Sequence, residues 1–146
     1  LFGNHDAYYK NTNETNSLDF LGLISHNENI TIINNKPFFI SVFNKSLGLF
    51  PWASEINYLL DENNNKKTVE KCNYGFGHFE ANGFEQNGQS SVGNKLNNND
   101  LFNLADYLFS GHYHKNKVYY DLLTNTPKLQ MVGSTMQLNW GEYRTR

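Results

Sequence analysis

Asp106-Tyr107-Leu108-Phe109-Ser110-Gly111-His112-Tyr113-His114 is a short apolar run that breaks into a loop carrying two histidines. Asp106 to Phe109 read as a buried strand, and Gly111 allows a tight exit from it. Two histidines separated by one residue point the same way where the backbone is extended, so His112 and His114 are candidates for one site. Imidazole is a good ligand for zinc, manganese or iron. The competing reading of a His-x-His is surface decoration, and these residues alone leave both open.

The same arrangement recurs upstream. His78 follows Gly77 at the end of a weaker strand candidate, Val69 to Phe76. His5 lies in Gly3-Asn4-His5-Asp6, where residues 1–6 read as a strand tail entering a polar loop. An amide oxygen such as that of Asn4 can ligate a metal, and the adjacent imidazole can handle protons. A carboxylate beside it, Asp6, can hold the imidazole's tautomer. A plain polar turn, with Asn and Asp capping backbone groups, explains the same residues. His26 has no such setting and reads as a loop residue.

Between these points the chain alternates short elements. A helix is expected near Ser17 to Ile24, strands over Asn29 to Ile33, Phe38 to Phe43 and Leu47 to Phe50, and a turn at Asn34 to Pro37. Ser54 is expected to cap a short helix running through Leu60. Asp61 to Lys67 reads as a loop. Asn82 to Asn99, rich in Gly, Asn, Gln and Ser, reads as a long mobile loop, and Leu101 to Ala105 as a helical turn. Lys117 to Leu122 and Lys128 to Val132 predict an antiparallel hairpin. Short strands, few helices and polar signals at strand ends suit a layered α/β domain with its chemistry at the strand tips.

Composition narrows the function. The 146 residues are 38% hydrophobic and 15% aromatic, which a disordered segment would lack. The formal net charge of -2, without a basic stripe, excludes a purely electrostatic nucleic-acid binder but not a nuclease that engages phosphate through bound cations. Cys72, the single cysteine, has no intrachain disulfide partner. No apolar stretch reaches membrane-spanning length and no signal-peptide pattern is present, so no membrane association is expected. A cytoplasmic location is expected, or the nucleus if the source is eukaryotic.

Taken together, Gly3-Asn4-His5-Asp6, Gly77-His78 and Gly111-His112-Tyr113-His114 resemble, in order and spacing, the GNHD, single-histidine and GHxH blocks of the calcineurin-like metallophosphoesterases. The resemblance implies a four-layer α/β/β/α sandwich holding two divalent metal ions, with manganese expected. Asn4, His78 and His112 would then ligate one metal and His114 the other. His5 would protonate the leaving oxygen, with Asp6 orienting it. Three further stretches resemble the nuclease branch, meaning SbcD-type DNA repair exonucleases and phage recombination endonuclease subunits. They are Gly77-His78-Phe79-Glu80-Ala81-Asn82-Gly83-Phe84, Asp106 to Lys115, and Gly133 to Glu142, the last with Thr135 at a usual proline. That branch implies metal-dependent hydrolysis of DNA phosphodiesters in recombination or repair, DNA as substrate, a homodimer and an SMC-like ATPase partner. A phosphomonoesterase or small-molecule phosphodiesterase on the same fold, and a non-catalytic interaction scaffold, are the alternatives.

The chain departs from the family pattern at its front. The Asp-x-His and Gly-Asp blocks that normally precede GNHD have no room here. Residues 1–146 are accordingly expected to be one partial metallophosphoesterase domain, truncated at both ends and missing its first strands. Such a piece is expected to be inactive alone, with exposed sheet edges.

Overall fold

The computed structural model describes residues 1, 3, 6, 17–18, 31–86, 89–90, 92 and 95–134. Asn4, His5 and His26 lie outside the described residues, as do all of the expected first helix except Ser17 and Leu18 and the stretch from Thr135 onward.

Eight strands and two short helices are named in chain order: β1 (Phe38–Val42), β2 (Lys45–Phe50), α1 (Ser54–Leu59), β3 (Cys72–Gly77), β4 (Glu85–Gln86), β5 (Gln89–Ser90), α2 (Asn98–Leu101), β6 (Ala105–Ser110), β7 (Lys117–Tyr120) and β8 (Pro127–Met131). Six of the strands form one mixed sheet in the order β1-β2-β3-β6-β8-β7, and β4 with β5 forms a small separate ribbon. β2, β3, β6 and β8 run parallel, with Phe50 beside Gly77, Gly77 beside Ser110 and Ser110 beside Met131. β1 and β7 close the two sides as antiparallel neighbours of β2 and β8. This is an α/β fold built on a mixed six-stranded sheet with few helices. Among the described residues no helix is long and apolar enough to cross a membrane.

Side chains alternate across each strand, so each element has a core face and an outer face. Phe50, Leu108, Ser110, Leu129 and Met131 are buried on one side, where they meet Leu59, Phe79, Phe84, Leu96, Leu101 and Leu104. The other side carries Leu47, Leu49, Tyr74, Phe76, Tyr107 and Phe109, which are half-buried or exposed. The Phe76 and Phe109 rings stack there, 5.2 Å between centroids. The central parallel strands are therefore covered by helices and loops on one face and present an aromatic row on the other.

Several expected elements shift. Thr31 to Ile33 carry no strand. β3 starts at Cys72, three residues later than expected. The expected loop from Asn82 to Asn99 contains the β4–β5 ribbon and the start of α2. α2 opens with a capping box, in which the Asn97 side chain accepts from Asp100 N–H and the Asp100 side chain accepts from Asn97 N–H. Ser54 is not the N-cap of α1; Ala53 occupies that position at φ 62. The Ser54 hydroxyl donates instead to the Pro51 carbonyl at 2.7 Å, holding the bend after β2.

Candidate metal centre

Parallel strands place their carboxyl ends at one edge of a sheet, where loops can converge on a ligand. Here that edge receives residues 51–55 after β2, 78–80 after β3, 111–114 after β6 and 132–134 after β8. Two hydrogen bonds clamp the middle loops together. Gly111 N–H donates to the Gly77 carbonyl at 3.0 Å, and Phe79 N–H donates to the buried Ser110 hydroxyl at 3.0 Å.

The clamp brings His78 and His112 face to edge. His78 Nε2 lies 3.2 Å from His112 Nδ1, with the rings 5.0 Å apart at 76°. The two nitrogens can share one proton as a hydrogen bond, or both can face a cation with lone pairs. A metal–nitrogen distance of about 2.0–2.1 Å separates two neighbouring ligand nitrogens by about 3.0 Å at a right angle and about 3.4 Å at a tetrahedral angle. The observed spacing lies between these values, so the pair fits a metal. On the far side of the ring, His112 Nε2 lies 3.9 Å from Glu80 Oε2.

His112 does not continue an extended backbone. Its φ is 76°, and Tyr113 N–H donates back to the Gly111 carbonyl at 3.1 Å. This closes a γ-turn of the strained, positive-φ kind around His112. Such strain persists where the surroundings over-determine it. Tyr113 provides that constraint, because its ring is buried and packs on Phe84 at 5.5 Å. The expectation that an extended backbone aims His112 and His114 the same way is thus corrected. His114 is exposed on the same loop, and its carbonyl accepts from Ser134 N–H at 2.8 Å.

The first motif also reaches this edge. A methyl group on Gly3 would lie 3.3 Å from Cε1 and Nδ1 of His78, and one on Gly111 would lie 3.0 Å from His78 Nδ1. Glycine in both motifs lets two backbones close on one imidazole. Asp6 closes its own turn: Gly3 N–H donates to Oδ2 at 2.9 Å, and the Ser17 hydroxyl donates to Oδ1 at 2.8 Å. These are contacts of a turn-capping carboxylate.

The structure thus brings His78 and His112 into contact and sets Gly3 against His78. Among the described residues, no group of three or more His, Cys, Asp or Glu side chains is arranged to hold a metal ion. Two acidic residues were not singled out from the sequence: Glu80, two residues after His78 in the stretch quoted above, and Glu55, which lies in the mixed stretch Pro51 to Leu60. No family model, no curated protein and no solved structure matches this chain.

Proposed function

We propose that this chain carries part of the metal centre of a calcineurin-like phosphoesterase that hydrolyses DNA phosphodiesters. The observation that carries the reading is the His78–His112 pair, with ring nitrogens 3.2 Å apart at the carboxyl ends of two adjacent parallel strands. The sheet would be one of the two inner layers of a four-layer sandwich, and the aromatic row on its outer face suits burial against a second layer. His78 and His112 would hold one divalent ion, joined by Asn4, and His114 would contribute to a second. Bound there, such ions, with manganese the expected metal, supply Lewis acidity toward the scissile phosphate and a water acidified toward neutral pH. The chain's own part would be to hold two imidazoles, that of His112 on a strained turn, while His5 would give a proton to the departing sugar oxygen.

DNA is favoured over small esters by the stretches around His78, His112 and Gly133 that resemble phage recombination nucleases. A homodimer and an SMC-like ATPase would be the partners. The deciding assay is manganese-dependent release of nucleotides from linear DNA. It uses this chain extended upstream through the two acidic blocks that the resemblance places there, beside a His5→Ala control. Cleavage that disappears with the substitution supports the nuclease. Hydrolysis of a small phosphodiester without DNA cleavage moves the protein to another branch. Neither activity, with no manganese binding, leaves a non-catalytic scaffold.

A further inference from the structure

We propose that β1 is a self-pairing edge: two copies of this chain join antiparallel along β1, about a two-fold axis at Ile40, and continue one sheet into the other. The inference gives the homodimer named above a surface, and it depends on neither the metal nor the nuclease reading.

A strand at the edge of a sheet carries unpaired N–H and C=O groups along one side, and proteins usually blunt it with lysine, a bulge or shortness. The two edges here differ. β7 is four residues long, starts at Lys117 and is bulged between Tyr119 and Tyr120. β1 is Phe38-Phe39-Ile40-Ser41-Val42, uncharged, in unbroken register with β2 and exposed at every position. Among the described residues its only strand neighbour is β2.

The turn fixes which backbone groups are free. Phe43 and Asn44, at φ 49° and 59°, form the two-residue loop of a type I′ hairpin. Val42 and Lys45, which flank that loop, exchange hydrogen bonds, and the pattern alternates along the strand. Phe38, Ile40 and Val42 therefore turn their amides to β2, and Phe39 and Ser41 turn theirs outward. Beyond the β1–β2 ladder, no backbone hydrogen bond reaches Phe39 or Ser41 among the described residues.

A second copy laid antiparallel with Ile40 on Ile40 meets all of those outward groups. The Phe39–Ser41 pairs on either side of the axis each exchange two hydrogen bonds. On the outer face Phe38 falls opposite Val42 and Ile40 opposite itself, so an apolar row runs on across the axis. No like charges meet, which is a penalty that a strand pairing with its own copy often carries. The Phe43 ring, 96% exposed, comes to lie beside Pro37, whose missing N–H ends the ladder. This palindromic fit selects a second copy over an unrelated strand.

The test is sedimentation of the whole chain, without metal, over a wide range of concentration. A monomer–dimer equilibrium is expected, with the Phe39 and Ser41 amides exchanging more slowly as dimer forms. Ile40→Lys sets two ammonium groups face to face at the axis and should leave only monomer. Position 40 is 37% exposed, so the lone chain can solvate the charge. Ser41→Pro removes an outward N–H, leaves the ladder to β2 intact and should do the same. Mild oxidation locates the axis. Ile40→Cys should give a disulfide-linked dimer, because Cα atoms of a non-hydrogen-bonded pair lie about 4.5 Å apart. Val42→Cys, four residues out of register with its copy, should not, and Cys72 is buried and does not compete. Leu123→Lys, on the exposed turn between β7 and β8, should dimerise like the parent. A chain that is monomeric at every concentration overturns the proposal and leaves the edge to a segment of another protein. A dimer kept in both Ile40→Lys and Ser41→Pro, lost in Leu123→Lys, or linked as well through Val42→Cys overturns it too. If Ile40→Lys fails to fold, Ser41→Pro and the cross-linking decide alone.

Discussion

A histidine held at φ 76° is a residue under tension, and the tension can be measured. A γ-turn of this hand costs a non-glycine residue on the order of 1–3 kcal/mol, and glycine adopts it freely. His112→Gly is therefore expected to stabilise the metal-free chain by about 1 kcal/mol, after glycine's own entropy cost. Urea unfolding without metal checks it. A fall in stability of similar size would mean that the edge-to-face contact of His112 with Tyr113, at 4.6 Å, matters more than backbone strain. At this scale the His78–His112 pair could be picked out because each of the two follows an apolar run and a glycine. The turn at His112 could not, because it depends on Tyr113 reaching Phe84, a contact between distant parts of the chain. Glu55 was illegible for a related reason: a glutamate in a short helix usually faces water, and its burial is decided by what packs over α1.

At the scale of elements, asparagine misled. The run Asn97 to Asn99 reads as loop, yet Asn97 and Asp100 together start α2. The pattern of an N-capping residue followed three positions later by an acidic side chain, just before Leu101, was there to be read. Asp100 is also paired with the Lys66 ammonium at 2.5 Å and is largely buried. Asn97→Ala should cost about 1 kcal/mol, the usual value of such a cap, in chemical unfolding. A loss below a few tenths would show that Asp100 and Leu101 hold the turn without it. The hairpin and the three strands β1, β2 and β6 were anticipated to within two residues at each end. Apolar runs bounded by turn residues carry that information locally. β3 was blurred because Gly75 and Gly77 dilute its pattern. Glycine is needed at Gly77, where a Cβ would collide with the Phe79 ring. The β4–β5 ribbon pairs only two residues from each strand, too few to leave a periodic trace.

For the molecule as a whole, stability should depend on pH through Glu55. Its folded-state carboxyl is raised from 4.5 to about 8, chiefly by burial. A raised carboxyl contributes stability that is complete below its unfolded value and lost as pH climbs through the folded one. Unfolding free energy is therefore expected to fall between about pH 5 and pH 8, by an amount on the order of 5 kcal/mol at the limit. Glu55→Gln should flatten that slope, and denaturant midpoints across the range would show it. A slope unchanged by the substitution would mean that the carboxyl ionises in the folded chain without penalty. The mixed α/β sheet itself was legible as a class, since short strands with polar ends point to it. Strand order was not, because β6 pairing between β3 and β8 is a property of the whole topology.

The hairpin of β7 and β8 turns at residues 121–126, where the Asp121 carboxylate accepts from Leu123 N–H and Thr124 N–H. Because β8 runs parallel to β6, this tip lies at the amino-terminal edge of the sheet, away from the histidines. Leu122 and Leu123 stand 87% and 97% exposed on it. A fluorophore, a spin label or a surface tether placed at Leu123 would sit on a hydrogen-bonded turn at the opposite edge of the sheet from the histidines. It would leave His78 and His112 untouched, which makes this the natural handle for watching one molecule without disturbing that edge.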